Sequence, residues 1–157
     1  MSTNVYLGLG SNQGDRQANL AAAIELLTQQ AGRLVAASRC YETAPWGFHS
    51  PHPFLNATLC LRTALEPIPL LRLTQRIERQ LGRTIKTSPG HAYTDRPIDI
   101  DILFYGDLTL TNPALTIPHP ALHLRRFVLE PLAEIAPTLR HPTLGRTVSE
   151  LLDTCPE

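Results

Sequence analysis

The sequence predicts an α+β domain in which an antiparallel sheet carries two helices on one face, with a helical extension at the C-terminal end. Short apolar runs of strand character alternate with stretches of helical periodicity, in the order β, α, β, β, α, β. The chain has 157 residues and is 43% hydrophobic, enough for one domain with a proper core, taken here as residues 1–157.

"NVYLGLG" (4–10) is an apolar run ending in glycines and reads as a buried strand. From Asp15 onward Leu20, Ala23, Ile24 and Leu27 recur at helical spacing, and Gly32 is placed to end that helix. "RLVAASRCYET" (33–43) and "FLNATLCLRTAL" (54–65) read as strands on either side of a loop rich in Pro, His and aromatic residues. Pro67 and Gly82 bracket a second helix, whose apolar stripe is Leu70, Leu73, Ile77 and Leu81. After a loop from about Thr84 to Arg96, "DRPIDIDILFYG" (95–106) is a strand in which Ile98, Ile100 and Ile102 alternate with Asp99 and Asp101. Two βαβ-like halves in this order correspond to the split βαβ, or ferredoxin-like, arrangement. The tail adds a Pro-rich connection, a short helix around "FVLEPLAEIA" and a segment opened by Thr147 and Glu150 in capping-box spacing, together a C-terminal helical extension.

Fourteen Lys and Arg balance fourteen Asp and Glu, so no bulk attraction to nucleic acid or anionic lipid is expected. The start lacks a basic leader with a long apolar run, and no segment approaches the roughly 20 apolar residues of a membrane span, so a cytoplasmic protein is expected, with a monomer as the default state. Cys40, Cys60 and Cys155 lack metal-type spacing, and the first two sit in strand-like runs as small hydrophobes.

Gly8, Gly10 and Gly14 of "GLGSNQG" almost imitate a dinucleotide fingerprint, but the spacing is one residue too long; a tight strand-to-helix turn is expected instead. Asp99 and Asp101 are more informative. Positions i and i+2 of a strand share a face with Cβ atoms roughly 6.5 Å apart. Two carboxylate charges about 5 Å apart repel by about 3 kcal/mol at an effective dielectric near 20, so a cation between them is favoured. Carboxylates alone suit a hard ion, and Mg²⁺ is commonly held by one or two of them with substrate phosphates. The plainer alternative is a strand with its polar face in water.

The neighbours favour a polyphosphate site. Arg96 precedes Asp99 by three residues, Arg83 and Lys86 close the preceding helix, and Arg125 and Arg126 form a further pair. The loop "TIKTSPGHAYTD" has the composition of a lid, with Tyr93 as a closing wedge. In "YETAPWGFHSPHPFLNA" aromatic side chains (Trp46, Phe48, Phe54) lead to Asn56, whose amide on an apolar strand can read the donor and acceptor edges of a flat heterocycle. His119, between prolines in "TIPHP", suits a phosphate ligand or proton donor. The other histidines show no metal-ligand spacing.

Taken together, "LGLGSN", "YETAPWG", "PFLNA", "QRIERQLGR", "RPIDIDILFYG" and "IPHP…RRFVLEPLAEIAP" resemble the 6-hydroxymethyl-7,8-dihydropterin pyrophosphokinase family of folate biosynthesis, from about Val5 to Pro137. The resemblance implies a ferredoxin-like fold and transfer of the terminal diphosphate of ATP to the pterin hydroxymethyl group, releasing AMP. By position, Asp99 and Asp101 would hold two Mg²⁺ ions, and Arg83 and Arg96 would steady the diphosphate. Thr43, Pro45, Phe54, Asn56 and Phe127 would form the pterin pocket. Gln75, Glu78, Thr116, His119 and Arg125 would fall on the ATP side. Ile85, Ala114 and Pro120 stand where the family often has polar residues. The rival readings from other classes are a non-catalytic ligand-binding module and a metal-dependent phosphohydrolase.

Overall fold

The structure, a computed structural model, describes residues 2–44, 51–82 and 96–156. Pro45, Trp46, Phe48, Arg83, Ile85, Lys86 and Tyr93 lie outside the described residues. In chain order the elements are β1 (Thr3–Ser11), α1 (Arg16–Gln30), β2 (Gly32–Ala37), β3 (Tyr41–Thr43), β4 (Phe54–Thr63), α2 (Pro67–Gln80) and β5 (Asp99–Tyr105). Two short strands follow, β6 (Leu110–Thr111) and β7 (Thr116–Ile117), then a 3₁₀ turn (Leu122–Leu124), α3 (Arg126–Ile135) and α4 (Val148–Asp153).

The main sheet runs β2-β4-β1-β5, with β3 also on β4, and every pairing in it is antiparallel. Its odd–even alternation separates two cores. Val5, Leu7 and Leu9 of β1, Leu59 and Leu61 of β4, and Ile98, Ile100 and Ile102 in and beside β5 pack with Leu20, Ala23 and Leu27 of α1 and Leu70, Leu73 and Ile77 of α2. Each buried Val, Leu or Ile side chain contributes roughly 1.5–3 kcal/mol by leaving water. Asp15 caps α1 by accepting from the Ala18 N–H at 3.0 Å, and Pro67 starts α2 where no N–H is needed.

A bulge in β5 builds the second core. Leu7 pairs with Ile102 and Tyr6 with Phe104, which leaves Leu103 as the extra residue. The bulge turns Leu103 and Phe104 to the same side, where they join Val128, Leu129 and Leu132 of α3 and Val148 and Leu151 of α4. Tyr105 then returns to the first face, its hydroxyl donating to the Leu65 carbonyl at 2.5 Å.

Several sequence expectations need correction. The strand expected over 33–43 is split into β2 and β3, because Arg39 turns outward: its N–H and Nε donate to Glu134 on α3, and Tyr41 Oη donates to the same carboxylate. At the break the Ser38 hydroxyl accepts from the Thr58 N–H at 2.9 Å and keeps the ladder going. Cys40 lies in this break and is exposed, so only Cys60 of that pair is the buried small hydrophobe expected. Gly32 opens β2 rather than merely ending α1: a Cβ there would stand 2.1 Å from the Arg62 carbonyl oxygen, so the two strands can approach only at glycine. Gly8 and Gly10 are mid-strand residues of β1; of the three motif glycines only Gly14, at φ +72°, occupies the turn.

His141 gives the fold a pH dependence. It is buried, and its Nδ1 accepts from the N–H groups of Thr143 and Leu144, a role only the neutral ring can fill. Burial, then the nearby His123, lowers its pKa below the 6.5 of an unperturbed chain. Between the two values the unfolded chain takes up a proton that the folded one refuses, so stability falls as pH drops through 6.5. Melting curves at pH 7.5 and 5.5 should show a loss on acidification that is smaller in His141→Asn.

Candidate active site

The bulged face of the sheet holds the site. Across it the register sets Asn56 of β4 opposite Gly10 of β1, and Gly10 opposite Asp99 of β5. One step along, Thr58, Gly8 and Asp101 form a parallel row. The central strand therefore presents glycine at the middle of each row, between the polar residues of β4 and β5, leaving a trough. At about 4.8 Å per strand, the backbones of Asn56 and Asp99 are roughly 10 Å apart across it. A Cβ on Gly10 would meet Asn56 Oδ1 at 2.9 Å and Phe54 Cδ1 at 3.3 Å, so the glycine is what lets amide and ring lie over β1.

The trough opens into a cavity with about 660 Å³ of empty space, part of it open to solvent. Thr43, Phe54, Asn56 and Phe127 line it together with Arg96, Asp99, Asp101 and Arg125. Eight residues singled out from the sequence, from four separate stretches of chain, thus share one cavity, and Leu103 and Val128 add apolar wall. Asn56 Nδ2 donates to Thr43 Oγ1 at 2.5 Å, which fixes the amide's orientation. Arg125 stacks its guanidinium 5.7 Å from the centre of the Phe127 ring. Phe127 enters at the first turn of α3; Pro131, one turn later, lacks the N–H that would bond the Phe127 carbonyl.

At the other end Arg96 is buried and its Nη1 stands 3.6 Å from Asp99 Oδ1. Asp99 and Asp101 are half-buried on the same face, while Ile98, Ile100 and Ile102 between and beside them are buried on the other. No group of three or more His, Cys, Asp or Glu side chains gathers among the described residues. A pair of carboxylates facing a solvent-open cavity fits a hard cation whose remaining oxygen ligands come from a substrate; it does not fit a closed structural centre.

The residues expected on the ATP side are placed less uniformly. His119 hangs from β5 through its N–H to the Leu103 carbonyl, at 3.0 Å. Burial and then the Arg125 guanidinium push its pKa down to about 4, against the pull of Asp99 in the opposite direction, so the ring is neutral at pH 7. Its Nδ1 accepts from the Ala121 N–H at 3.3 Å, which leaves the proton on Nε2 as a donor. Glu78 is 5% exposed, and its Oε2 accepts from the Ile100 N–H at 2.8 Å. That N–H lies between the two aspartates on the edge of β5 away from β1, so the carboxylate holds the strand that carries them. Gln75 and Thr116 are half-buried and stand apart from the cavity lining. Pro45 and Arg83 fall outside the described residues.

Sequence reasoning missed the part played by Gly8 and Gly10, whose signal was the register of two strands rather than any local motif. It also missed Asn12, 2% exposed at the end of β1, although the residue stands within "GLGSN".

The family profile described as 7,8-dihydro-6-hydroxymethylpterin-pyrophosphokinase (HPPK) matches residues 6–137 of the chain. The chain belongs to the HPPK family. The 2-amino-4-hydroxy-6-hydroxymethyldihydropteridine pyrophosphokinase of Porphyromonas gingivalis is 55% identical over 139 residues, covering 88% of this chain and 93% of its own. The enzyme of the same name from Bacillus subtilis is 43% identical over 136 residues, covering 86% of this chain and 79% of its own. Among solved structures, the wild-type Plasmodium falciparum HPPK-DHPS with SDX-DHP superposes with a TM-score of 0.78 at 16% identity. That match covers 98% of this chain but 44% of the larger one, and it shows an HPPK fold. The matched span contains both aspartates, Asn56 and Phe127, so the cavity lies inside the part of the chain that defines the family.

Proposed function

We propose the following course for the pyrophosphokinase reaction of folate biosynthesis that family membership gives this chain: diphosphate passes from ATP to 6-hydroxymethyl-7,8-dihydropterin, leaving AMP. One observation carries it. A single cavity joins an aromatic and amide end, on β3, β4 and α3, to a carboxylate end on β5 with Arg96 just before it and Arg125 just before α3.

Phe54 and Phe127 bound the pterin ring, and Asn56, oriented by Thr43, meets its hydrogen-bonding edge; Pro45 completes this wall. The substrate hydroxyl attacks the β-phosphorus in line, so no protein nucleophile is required. Arg96, with Arg83, steadies the diphosphate in transit, and Arg125 and the Nε2–H of His119 contact the ATP phosphates. Gln75 and Thr116 bind ATP further out, and Glu78 holds β5 in place. Two Mg²⁺ ions held by Asp99 and Asp101 would neutralise charge on the phosphate oxygens. The protein supplies position and fixed charge, and holding both reactants in one trough replaces a bimolecular encounter.

The wider expectations fit the same reading. With β2 and β3 counted as one interrupted strand, the order β2-β4-β1-β5 supports a ferredoxin-like sheet with α3 and α4 as the C-terminal extension. No described helix is long and apolar enough to cross a membrane. We infer a single-domain, cytoplasmic monomer acting on small molecules and not on nucleic acid.

The deciding experiment incubates the protein with ATP, Mg²⁺ and the reduced pterin. AMP and a diphosphorylated pterin in equal amounts, without free phosphate, are expected. Free phosphate would favour a phosphohydrolase, and tight binding of an ATP analogue without Mg²⁺ or turnover would favour a binding module. Gly10→Ala should raise the pterin KM about tenfold, the loss of roughly one hydrogen bond, and leave the ATP KM within about twofold. Steady-state kinetics with each substrate varied in turn checks the split.

A further inference from the structure

Asn12 does not line the cavity, yet it ties together the strands that do. It is 2% exposed. Its Oδ1 accepts from the Arg96 N–H at 2.8 Å, and its own N–H donates to the Arg96 carbonyl at 3.1 Å. Arg96 is thereby held from both sides of its backbone, three residues before Asp99. Asn12 Nδ2 donates to the His52 carbonyl at 3.1 Å, two residues before Phe54 and four before Asn56. One side chain thus joins the entrance of β5, with its charged groups, to the entrance of β4, with the aromatic and amide end.

The turn around it is built for this. Asn19 of α1 donates from Nδ2 to Ser11 Oγ at 3.3 Å and to the Gln13 carbonyl at 2.9 Å, pinning the chain on both sides of Asn12. Arg16 makes a parallel link: Nη1 donates to the Pro53 carbonyl at 3.0 Å, and Nη2 pairs with Glu42 of β3 at 2.8 Å. The turn between β1 and α1 therefore grips the start of β4 twice and the start of β5 through both backbone groups of one residue. An amide that only completed the fold would need its bonds satisfied somewhere. Here both ends of the amide go to the two strand entrances that carry the two halves of the site.

We propose that Asn12 is a positioning residue for the transfer step: it sets the pterin end of the trough against the phosphate end, so that hydroxyl and phosphorus meet in line. This rests on the site residues assigned above. Each subsite keeps its own contacts when Asn12 changes, so binding of either substrate alone should survive while their mutual alignment is lost.

In Asn12→Ala, kcat should fall roughly 10- to 100-fold, the size expected of a misplacement near 1 Å, with the dissociation constants of the pterin and of an Mg²⁺–ATP analogue, each measured alone, within about threefold of parental values. Asn12→Asp keeps the acceptor for the Arg96 N–H but faces the His52 carbonyl with oxygen, and should reproduce the loss of kcat. A structural role alone would lower the melting temperature and leave kcat intact well below it. A folded Asn12→Ala with kcat within about threefold of parental overturns the proposal. Should that variant not fold, Asn12→Asp decides on the same criterion. Asp99→Asn run alongside separates the two failures: parental turnover there removes the site assignment itself, whereas its loss beside an active Asn12→Ala removes only the role of Asn12.

Discussion

Asp99→Asn and Asp101→Asn are each expected to lower kcat by roughly 10²- to 10³-fold, the scale seen when a group that stabilises developing charge is removed. Asparagine keeps the shape of the side chain and removes its charge. Both carboxylates sit on the open face of β5, with the Asp99 side chain 26% exposed, and neither belongs to either core. Asparagine can still accept from the buried Arg96, whose Nη1 stands 3.6 Å from Asp99 Oδ1, so the variants should stay folded at the assay temperature, and thermal melting run alongside checks this. The Mg²⁺ concentration for half-maximal rate should rise in both variants. AMP formation by the double variant at near the parental rate, with Mg²⁺ present, would sink the assignment of these residues.

The legible part of this protein was the part encoded by local period and chemistry. The alternation of isoleucines with aspartates in β5 put the carboxylates on one face and the core on the other, as found. The stripe of α2 and the capping box of α4, in which Thr147 and Glu150 bond reciprocally, were also readable from spacing. What the sequence could not show depends on partners remote in the chain. Gly8 and Gly10 acquire meaning only when β1 lies between β4 and β5. Arg39 breaks a strand because Glu134, on α3, accepts from it. Asn12 and Glu78 act through bonds to Arg96 and Ile100, 84 and 22 residues away, where no motif would place them. Family resemblance named Glu78 only for the ATP side and included Asn12 only within "LGLGSN"; it did not show the bonds by which the two hold Ile100 and Arg96.

Phe104→Ala should have the largest effect on stability. Phe104 is fully buried, and its ring meets Tyr6 edge-on at 6.2 Å and His141 edge-on at 5.8 Å. Truncating such a ring costs about 3–5 kcal/mol, a large share of a stability near 5–15 kcal/mol. For a chain of this size the melting temperature should fall by about 6–20 °C. The damage should also be directional. Strict alternation from Ile102 would put Phe104 among the helices α1 and α2; the bulge at Leu103 sends it to α3 and α4 instead. Its loss therefore loosens the packing under α3, which brings Phe127 of the pterin wall and, at its N-terminal end, Arg125 of the phosphate side to the cavity; Arg96, Asp99 and Asp101 stay in and just before β5, whose α2 support is untouched. Below the melting range the pterin KM should accordingly rise more than the ATP KM. Ile102→Val, one residue before the bulge and facing the other core, serves as the control: it should cost about 0.5–1.5 kcal/mol and leave that ratio unchanged. Equal changes in both KM values for Phe104→Ala would mean that the second core supports the whole site rather than its pterin wall.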